Sequence, residues 1–551
     1  MIRSQLQELL DRCFARGVDE GWWSDRAAGK YTIEVPRHAG QGDFSTNMAL
    51  VMAGTEKRNP REIAARLQEL LAAADHLVER VEVAGPGFVN MFLQPGVWAS
   101  VLPVIDSQGE RYGLSETGRG TKVLVEFVSA NPTGPLSIGH GRNGILGDSI
   151  ARLLTGCGYS VSREYYFNDA GRQMRVLGAS LKARYLELLG LENEFPEDGY
   201  QGEYLYDIAR DLVDRYGDRL RDSEVMEFKE HAQKAIFADI DATLKRIGIE
   251  FDSYFNEHSL YEQGLIEDVI EKLRRKNLVY EQDGALWFRT TEFGQEQDRV
   301  IVKSSGEPTY RLPDIAYHRE KFRRGYDWMI DVFGADHIAT VPDVLAGVRA
   351  LGYDDSKVQV VLHQFVTLMR DGRQVKMSTR KATFVTVDEL VDEVGVDALR
   401  FFFLMRKPDS QLEFDLDLAT RESQENPVYY VQYGHARLCS IDRMAGERGV
   451  EAVAASSAPL ERLAEPEEHQ LLKLLADYPR LVRTAARDLA PHRIIFYLME
   501  LAGQFHSYYN KHKVLTGDPR LTAARLALCR GIRTVLNNGL TLMGISAPES
   551  M

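Results

Sequence analysis

Between Ser129 and Leu154 the chain reads SANPTGPLSIGHGRNGILGDSIARLL, and two glycine-spaced patterns overlap in it. Gly139, Gly141 and Gly144 form G-x-G-x-x-G, while Ser137, Gly139 and His140 stand in S-I-G-H. A strand-like run, TKVLVEFV (121–128), comes before, and a helical stripe of Leu146, Ile150, Leu153 and Leu154 follows. A strand, a loop and a glycine-rich helix start bring free backbone N–H groups and the positive end of a helix dipole to one point. A phosphate-bearing ligand near Gly139 follows on either pattern. The dinucleotide pattern also asks for an acid about twenty residues on, which Glu164 supplies. It asks too for its first glycine directly after the strand, and here ANPTGPLSI intervenes. On the other pattern His140 donates to a phosphate oxygen and Gly139 lets the ligand come close. Such a donor helps most against charge that builds on a phosphate under attack. Ser137 can donate a hydrogen bond but cannot carry a positive charge. A second group of cations lies in DGRQVKMSTRKATFVTVDELVDEVG (371–395), where Lys376, Ser378, Arg380 and Lys381 suit a polyphosphate.

The elements that must position these groups differ along the chain. With 551 residues the chain exceeds one hydrophobic core. Residues 1–118 read as a small α/β unit: YTIEV (31–35) alternates like a strand, and NPREIAARLQELLAA (59–73) starts a helix with Asn59 as cap and Pro60 in its first turn. RVEVAGPGFVNMFL (80–93) reads as two strands about a glycine turn. Residues 119–395 alternate strand and helix, through YSVSREYYF, GALWFRT, DRVIVKSSG, YDWMIDVFGADH and KVQVVLHQF, which predicts a doubly wound, Rossmann-like parallel sheet with a helical insertion over about 190–260. Residues 396–551 carry long helical patterns and predict an all-α bundle, with 452–466 as a loop inside it. No apolar run is long enough to cross a bilayer, and the N-terminus has no signal-peptide core, so a cytoplasmic protein without a membrane partner is expected. Four scattered cysteines form no metal-site or disulfide pattern, and no metal ligands of the protein's own are expected. A net charge of −14 argues against a sequence-blind coat on nucleic acid, but leaves open a protein that binds one folded RNA through local patches and shape.

EFVSANPTGPLSIGHGR (126–142) resembles the signature region of the class I aminoacyl-tRNA synthetases, and of the arginyl-tRNA synthetases in particular, with Ser137 where H-I-G-H has its first histidine. KMST, Lys376 to Thr379, resembles that class's mobile K-M-S-K loop without the second lysine, and Arg380 and Lys381 follow at once. The resemblance runs along essentially the whole chain, through GDFSTNMAL, NPREIA and GPGFVN, then SSGEPTYRLPDIAYHREKFRRGYD and VFGADH, then VDALRFFFLMR and QENPVYYVQYGHAR.

The resemblance implies ligation of L-arginine to its tRNA through an arginyl-adenylate, with ATP, Mg2+ carried on the phosphates, and release of AMP and pyrophosphate. It implies a monomer that must bind tRNA before it activates arginine. Ser137, His140, Lys376, Ser378, Arg380 and Lys381 would act in catalysis, and Gly139, His140, Asp336, His337 and Met377 would bind ATP. Glu126 and Asp314 would face the guanidinium, because a forked cation needs planar acceptors. Tyr310 would pack or bond beside them, Asn131 would hold the α-amino end, and His318 is a weaker member of the set. Asp314 alone could equally cap a helix. Glu126, at the end of an apolar strand, is harder to explain structurally, since an unpaired buried carboxylate is costly. Phe88 and Asn90 would read the tRNA outer corner by stacking and hydrogen bonding. Tyr429, Tyr430, Tyr433, His435 and Arg437 would serve the anticodon side, some of them as core. Other functions remain open on sequence alone: a dinucleotide-dependent oxidoreductase, a nucleotidyltransferase for a smaller substrate, and a tRNA-binding relative impaired at Ser137 and Thr379.

Overall fold

The structure, a computed structural model, describes residues 2–36, 38, 40–73, 77–169, 171–375, 385–451 and 453–551. Lys376, Met377, Ser378, Thr379, Arg380 and Lys381 therefore lie outside the described residues.

The N-terminal part is an antiparallel sheet in the order Ile33–Glu34, Phe44–Thr46, Phe88–Leu93, Val78–Ala84. Only Ile33–Glu34 of YTIEV pairs. Helix Pro60–Ala72 starts where the cap chemistry places it: the Asn59 side chain accepts the Arg61 N–H at 2.9 Å, and Ile63, Leu67, Leu70 and Leu71 are buried.

At the centre is an all-parallel sheet in the order Val358–His363, Trp328–Gly334, Lys122–Glu126, Ser160–Phe167, Ser253–Asn256. Side chains of Lys122–Glu126 alternate between two cores. Val123 and Val125 join the large cluster beside helix Ile138–Gly156, while Leu124 packs with Met329 and Val358 on the other face. The chain winds one way from Lys122–Glu126 to Ser253–Asn256 and then returns to Trp328–Gly334. The strand order thus reverses between Lys122–Glu126 and Trp328–Gly334, and ligands of doubly wound sheets bind at the carboxyl ends beside such a reversal. Helices Arg172–Leu188, Tyr204–Tyr216 and Val225–Arg246 fill the connection between Ser160–Phe167 and Ser253–Asn256. Two expected strands leave the main sheet: Ala285–Phe288 and Arg299–Val302 pair antiparallel, with Val279–Gln282, in a small sheet of their own.

After Gly395 the helices Pro427–Glu447, Pro466–Arg487, His492–Lys511 and Pro519–Leu542 form the bundle. Three open on proline, which loses nothing at a position whose N–H has no partner in the helix. One strand, Leu412–Asp415, interrupts the helical pattern by pairing with Val366–Arg370. The bundle also packs on the N-terminal section. Tyr112 donates its hydroxyl to the Leu475 carbonyl at 2.8 Å, and Asn538 donates to the carbonyls of Gly109 at 2.9 Å and Tyr112 at 3.1 Å. A side chain at Gly531 would strike Leu102. Arg400 ties three parts together while fully buried: it donates to Asp148 in helix Ile138–Gly156 at 2.5 Å, to the Ile247 carbonyl at 2.9 Å and to the Met543 carbonyl at 2.9 Å. Among the described residues no helix is long and apolar enough to cross a membrane.

Candidate active site

The chain leaves strand Lys122–Glu126 through two residues in the left-handed region, Val128 at φ 65° and Ser129 at φ 42°. A β-branched residue rarely sits there, and the strain costs about 1–3 kcal/mol per residue. Asn143 holds the turn: its Oδ1 accepts the Val128 N–H at 2.6 Å, and its Nδ2 donates to the Val332 carbonyl at 2.8 Å and to His363 Nε2 at 3.2 Å. One buried amide thus fixes helix Ile138–Gly156 to both strands that flank the reversal.

At that helix's N-terminus the Ser137 N–H donates to His140 Nδ1 at 3.3 Å, and Ser137 Oγ lies 3.2 Å from the same nitrogen. Nδ1 is therefore the acceptor, the ring proton sits on Nε2, and Nε2–H is left to donate. Burial lowers the imidazole below its ordinary value, with Asp336 opposing, so His140 is a neutral donor. Asp336 and His337 are exposed in the turn after strand Trp328–Gly334. A side chain at Gly139 would meet only Ser137 Oγ, at 3.7 Å, so a ligand can come close to this backbone. Gly141 has a different reason: a Cβ there would lie 2.9 Å from Val387.

Behind the carboxyl ends of the strands lies a group of acids. Glu126 is 3% exposed; its Oε1 accepts Ser129 Oγ at 2.9 Å and its Oε2 accepts Lys321 Nζ at 2.6 Å. Asp314, in the first turn of helix Arg311–Arg323, offers no such partner: among the described residues its carboxylate meets no hydrogen-bond donor. It does not cap its helix. Its carboxyl rises to about 7, through burial first; His318 and Lys321 pull it down, while Glu126 and Glu257 push it up. Glu257 accepts the Tyr166 hydroxyl at 2.9 Å and is also raised, again mainly by burial. A carboxylate raised by burial and by two neighbouring acids, with no cation of the protein's own on it, fits a place built for a ligand cation. Sequence reasoning missed Glu257 and Lys321. EKFRRGYD looks like an ordinary solvated helix end, and nothing local shows that helix Arg311–Arg323 carries Lys321 to Glu126.

The other predicted residues fall at graded distances from this centre. Asn131 is exposed at the mouth, with its amide N–H donated to Gln173 Oε1 at 3.0 Å and its own oxygen left as an acceptor. Tyr310 is 72% exposed, one helical turn before Asp314, so it stands at the rim rather than packed against the acids. His318 donates to the Asp314 carbonyl and to Asp331, both at 2.8 Å, and faces away from the mouth. Glu164, the acid wanted by the dinucleotide pattern, is consumed internally. Burial alone would raise it, but Arg324 (2.5 and 2.7 Å), Tyr317 (2.6 Å) and Ser253 (2.8 Å) hold it below the ordinary range. It has no face left for a ribose.

Comparison with known proteins decides between the readings. Residues 102–408 match the family model for the class I (R) tRNA synthetase catalytic domain, residues 1–93 that for the arginyl tRNA synthetase N-terminal domain, and residues 431–551 that for the DALR anticodon binding domain. An arginine–tRNA ligase of Desulfotalea psychrophila is 66% identical over 100% of both chains. One of Geobacter sp. is 50% identical, covering 99% of this chain and 100% of its own. The arginyl-tRNA synthetase of Thermus thermophilus superposes with a TM-score of 0.75 over 100% of both chains, at 25% identity. The chain belongs to the arginyl-tRNA synthetase family.

Within an arginyl-tRNA synthetase the distal positions gain meaning. Phe88, at the turn that opens strand Phe88–Leu93, is 39% exposed, whereas Asn90 on the same strand is buried. In helix Pro427–Glu447, Arg437 donates to the Tyr433 hydroxyl at 2.9 Å and lies over the Tyr433 and Tyr509 rings at 4.5 and 5.0 Å. Tyr429 stacks on Tyr433, and Tyr430 meets the neighbouring His506 ring at a tilt. His435 is buried, with Nδ1 donating to the Pro548 carbonyl at 2.9 Å, so it braces the C-terminus instead of meeting a ligand.

Proposed function

We propose that the Asp314 pocket takes the guanidinium of L-arginine, that helix Ile138–Gly156 takes the phosphates of ATP, and that the chain joins arginine to its tRNA between them. The observation that carries this is a half-buried Asp314 carboxylate that meets no donor among the described residues, near Glu126 and Glu257, at the end of the sheet where strand Lys122–Glu126 leads into the helix that carries His140. Asp314 offers two coplanar acceptors to a fork, Glu126, paired with Lys321, lies behind it, and Tyr310 covers the rim. The free oxygen of Asn131 accepts from the α-ammonium. Arginine's carboxylate then attacks the α-phosphate, pyrophosphate leaves, and the 3′-terminal ribose hydroxyl of tRNA takes the arginyl group from the adenylate. Positioning and charge stabilisation suffice, with no covalent enzyme intermediate. His140 Nε2–H is aimed where charge develops on phosphate.

The glycine at 139 and the open helix start fit a triphosphate. Mg2+, when present, neutralises phosphate charge. Among the described residues no cluster of metal-ligating side chains stands at this site. Lys376, Ser378, Arg380 and Lys381 are assigned to the pyrophosphate end, with Met377 beside the nucleotide. The parts 1–118, 119–395 and 396–551 are assigned to the tRNA outer corner, to catalysis and to the anticodon side. Phe88, Tyr433 and Arg437 supply stacking and cationic groups. ATP–pyrophosphate exchange with arginine, with and without tRNA for arginine and with lysine as control, tests the proposal. Exchange with arginine alone, and only when tRNA is present, is expected. Binding of that tRNA without exchange under any condition would favour the impaired relative.

A further inference from the structure

Behind the proposed arginine pocket stands a charged frame that touches neither mouth nor solvent. Lys321 is 0% exposed, and its Nζ donates to Glu126 Oε2 and to Asp331 Oδ1, both at 2.6 Å, under the Tyr317 ring at 4.3 Å. Asp331, also 0% exposed, uses its other oxygen to accept His318 Nε2 at 2.8 Å. His318 in turn donates Nδ1–H to the backbone carbonyl of Asp314 at 2.8 Å. One aspartate on the central sheet therefore fixes both pocket acids: Glu126 by its side chain, through Lys321, and Asp314 by its backbone, through His318.

Three charges in one dry place are an expensive way to hold two strands and a helix together, since an apolar trio of similar volume is often as stable. The geometry instead serves recognition. We infer that Asp331, Lys321 and His318 are positioning residues that make the pocket select arginine over lysine. This rests on the reading of Asp314 as the guanidinium acceptor. Lys321 already stands on Glu126 while shared with Asp331, so the point charge of a lysine side chain gains less there and meets a fixed ammonium behind it. A guanidinium spreads its charge over a plane and can lay two N–H groups on Asp314 without needing Glu126 to be unpaired.

The test is tRNA-dependent ATP–pyrophosphate exchange on the full chain carrying Lys321→Met, with Asp331→Asn as the isosteric second variant in case the first does not fold. Lys321→Met is expected to raise the arginine KM about tenfold while kcat stays within about threefold, because ground-state positioning is lost and the phosphate chemistry is not. The preference for arginine over lysine, as a ratio of kcat/KM, is expected to fall about tenfold, since Glu126 is then open to a second ammonium. Asp331→Asn is expected to move the same two quantities in the same directions. A folded variant with unchanged arginine KM and unchanged preference would overturn the inference, as would a fall in kcat alone. Asp314→Asn, run in parallel, keeps the two levels apart. A normal arginine KM in that variant would overturn the pocket itself, whereas its loss beside a normal Lys321→Met would overturn only the role of the frame.

Discussion

Replacing Asp314 by asparagine removes a charge that the fold holds against its own interest. The carboxyl is raised from its ordinary 3.8 to about 7, by burial above all. The native state binds this proton more tightly than the unfolded chain, so the associated stability is complete below pH 4 and lost as the pH rises to about 7. Above that pH the free enzyme forgoes about 4 kcal/mol at this one group. Asparagine keeps the shape without the charge. Allowing half of that figure for the new amide's own unmet hydrogen bonds leaves about 2 kcal/mol, or roughly 4 °C in the melting temperature of a domain this large. Asp314→Asn is thus expected to melt about 4 °C above the parent at pH 8 without ligand, with the gap closing at about pH 5.5 and reversing toward pH 4 as the parent's carboxyl takes up its proton. It should also lose about 3 kcal/mol of charge-assisted contact to arginine, a rise in KM of about a hundredfold. Thermal melts over that pH range and tRNA-dependent exchange read the two effects separately. A variant that melts below the parent at pH 8, or that keeps the parent's arginine KM, would refute the reasoning.

Three further outcomes follow from the geometry. His140→Ala should lower kcat for activation about a hundredfold or more, with arginine KM nearly unchanged, because a neutral donor on developing phosphate charge acts mainly in the transition state; pyrophosphate exchange at saturating ATP checks it. Phe88→Ala should raise the KM for tRNA about tenfold, in line with the loss of one base stack, and leave the melting temperature in place because the ring is 39% exposed. Arg400→Met should cost about 3–5 kcal/mol in urea unfolding, because Asp148 loses its buried partner; a loss under about 1 kcal/mol would mean that Arg152, 2.7 Å from the same carboxylate, replaces it.

The elements were legible where local chemistry decides them. Asn59 and Pro60 announce a helix, the apolar run before Glu126 announces a buried strand, and the glycine-rich start after it announces an anion site. What escaped was set by residues far apart in the chain. Glu126 and Lys321 are 195 positions apart, and no periodicity reports that they share a hydrogen bond. The same holds for Glu257, which faces Asp314 only because Ser253–Asn256 lies on the edge of the central sheet. Ala285–Phe288 read as a strand of the main sheet because a strand pattern carries no statement of its partner. His435 sits in a motif-like run, but helix geometry turns its ring inward to the Pro548 carbonyl, which only the packed C-terminus supplies.

The contact between the first and last parts of the chain has a bearing on how the protein is made. Gly109 and Asn538 are 429 residues apart, yet they share a hydrogen bond beside the Leu102–Gly531 contact. At a ribosomal pace of about 5–20 residues per second, the face around Leu102 and Ile105 waits roughly 20–90 s for its cover to be synthesised. During that interval a nascent chain carries an uncovered apolar face beside a finished N-terminal sheet. Chaperone demand should therefore track the speed of elongation through the message beyond the N-terminal part rather than the stability of the completed enzyme.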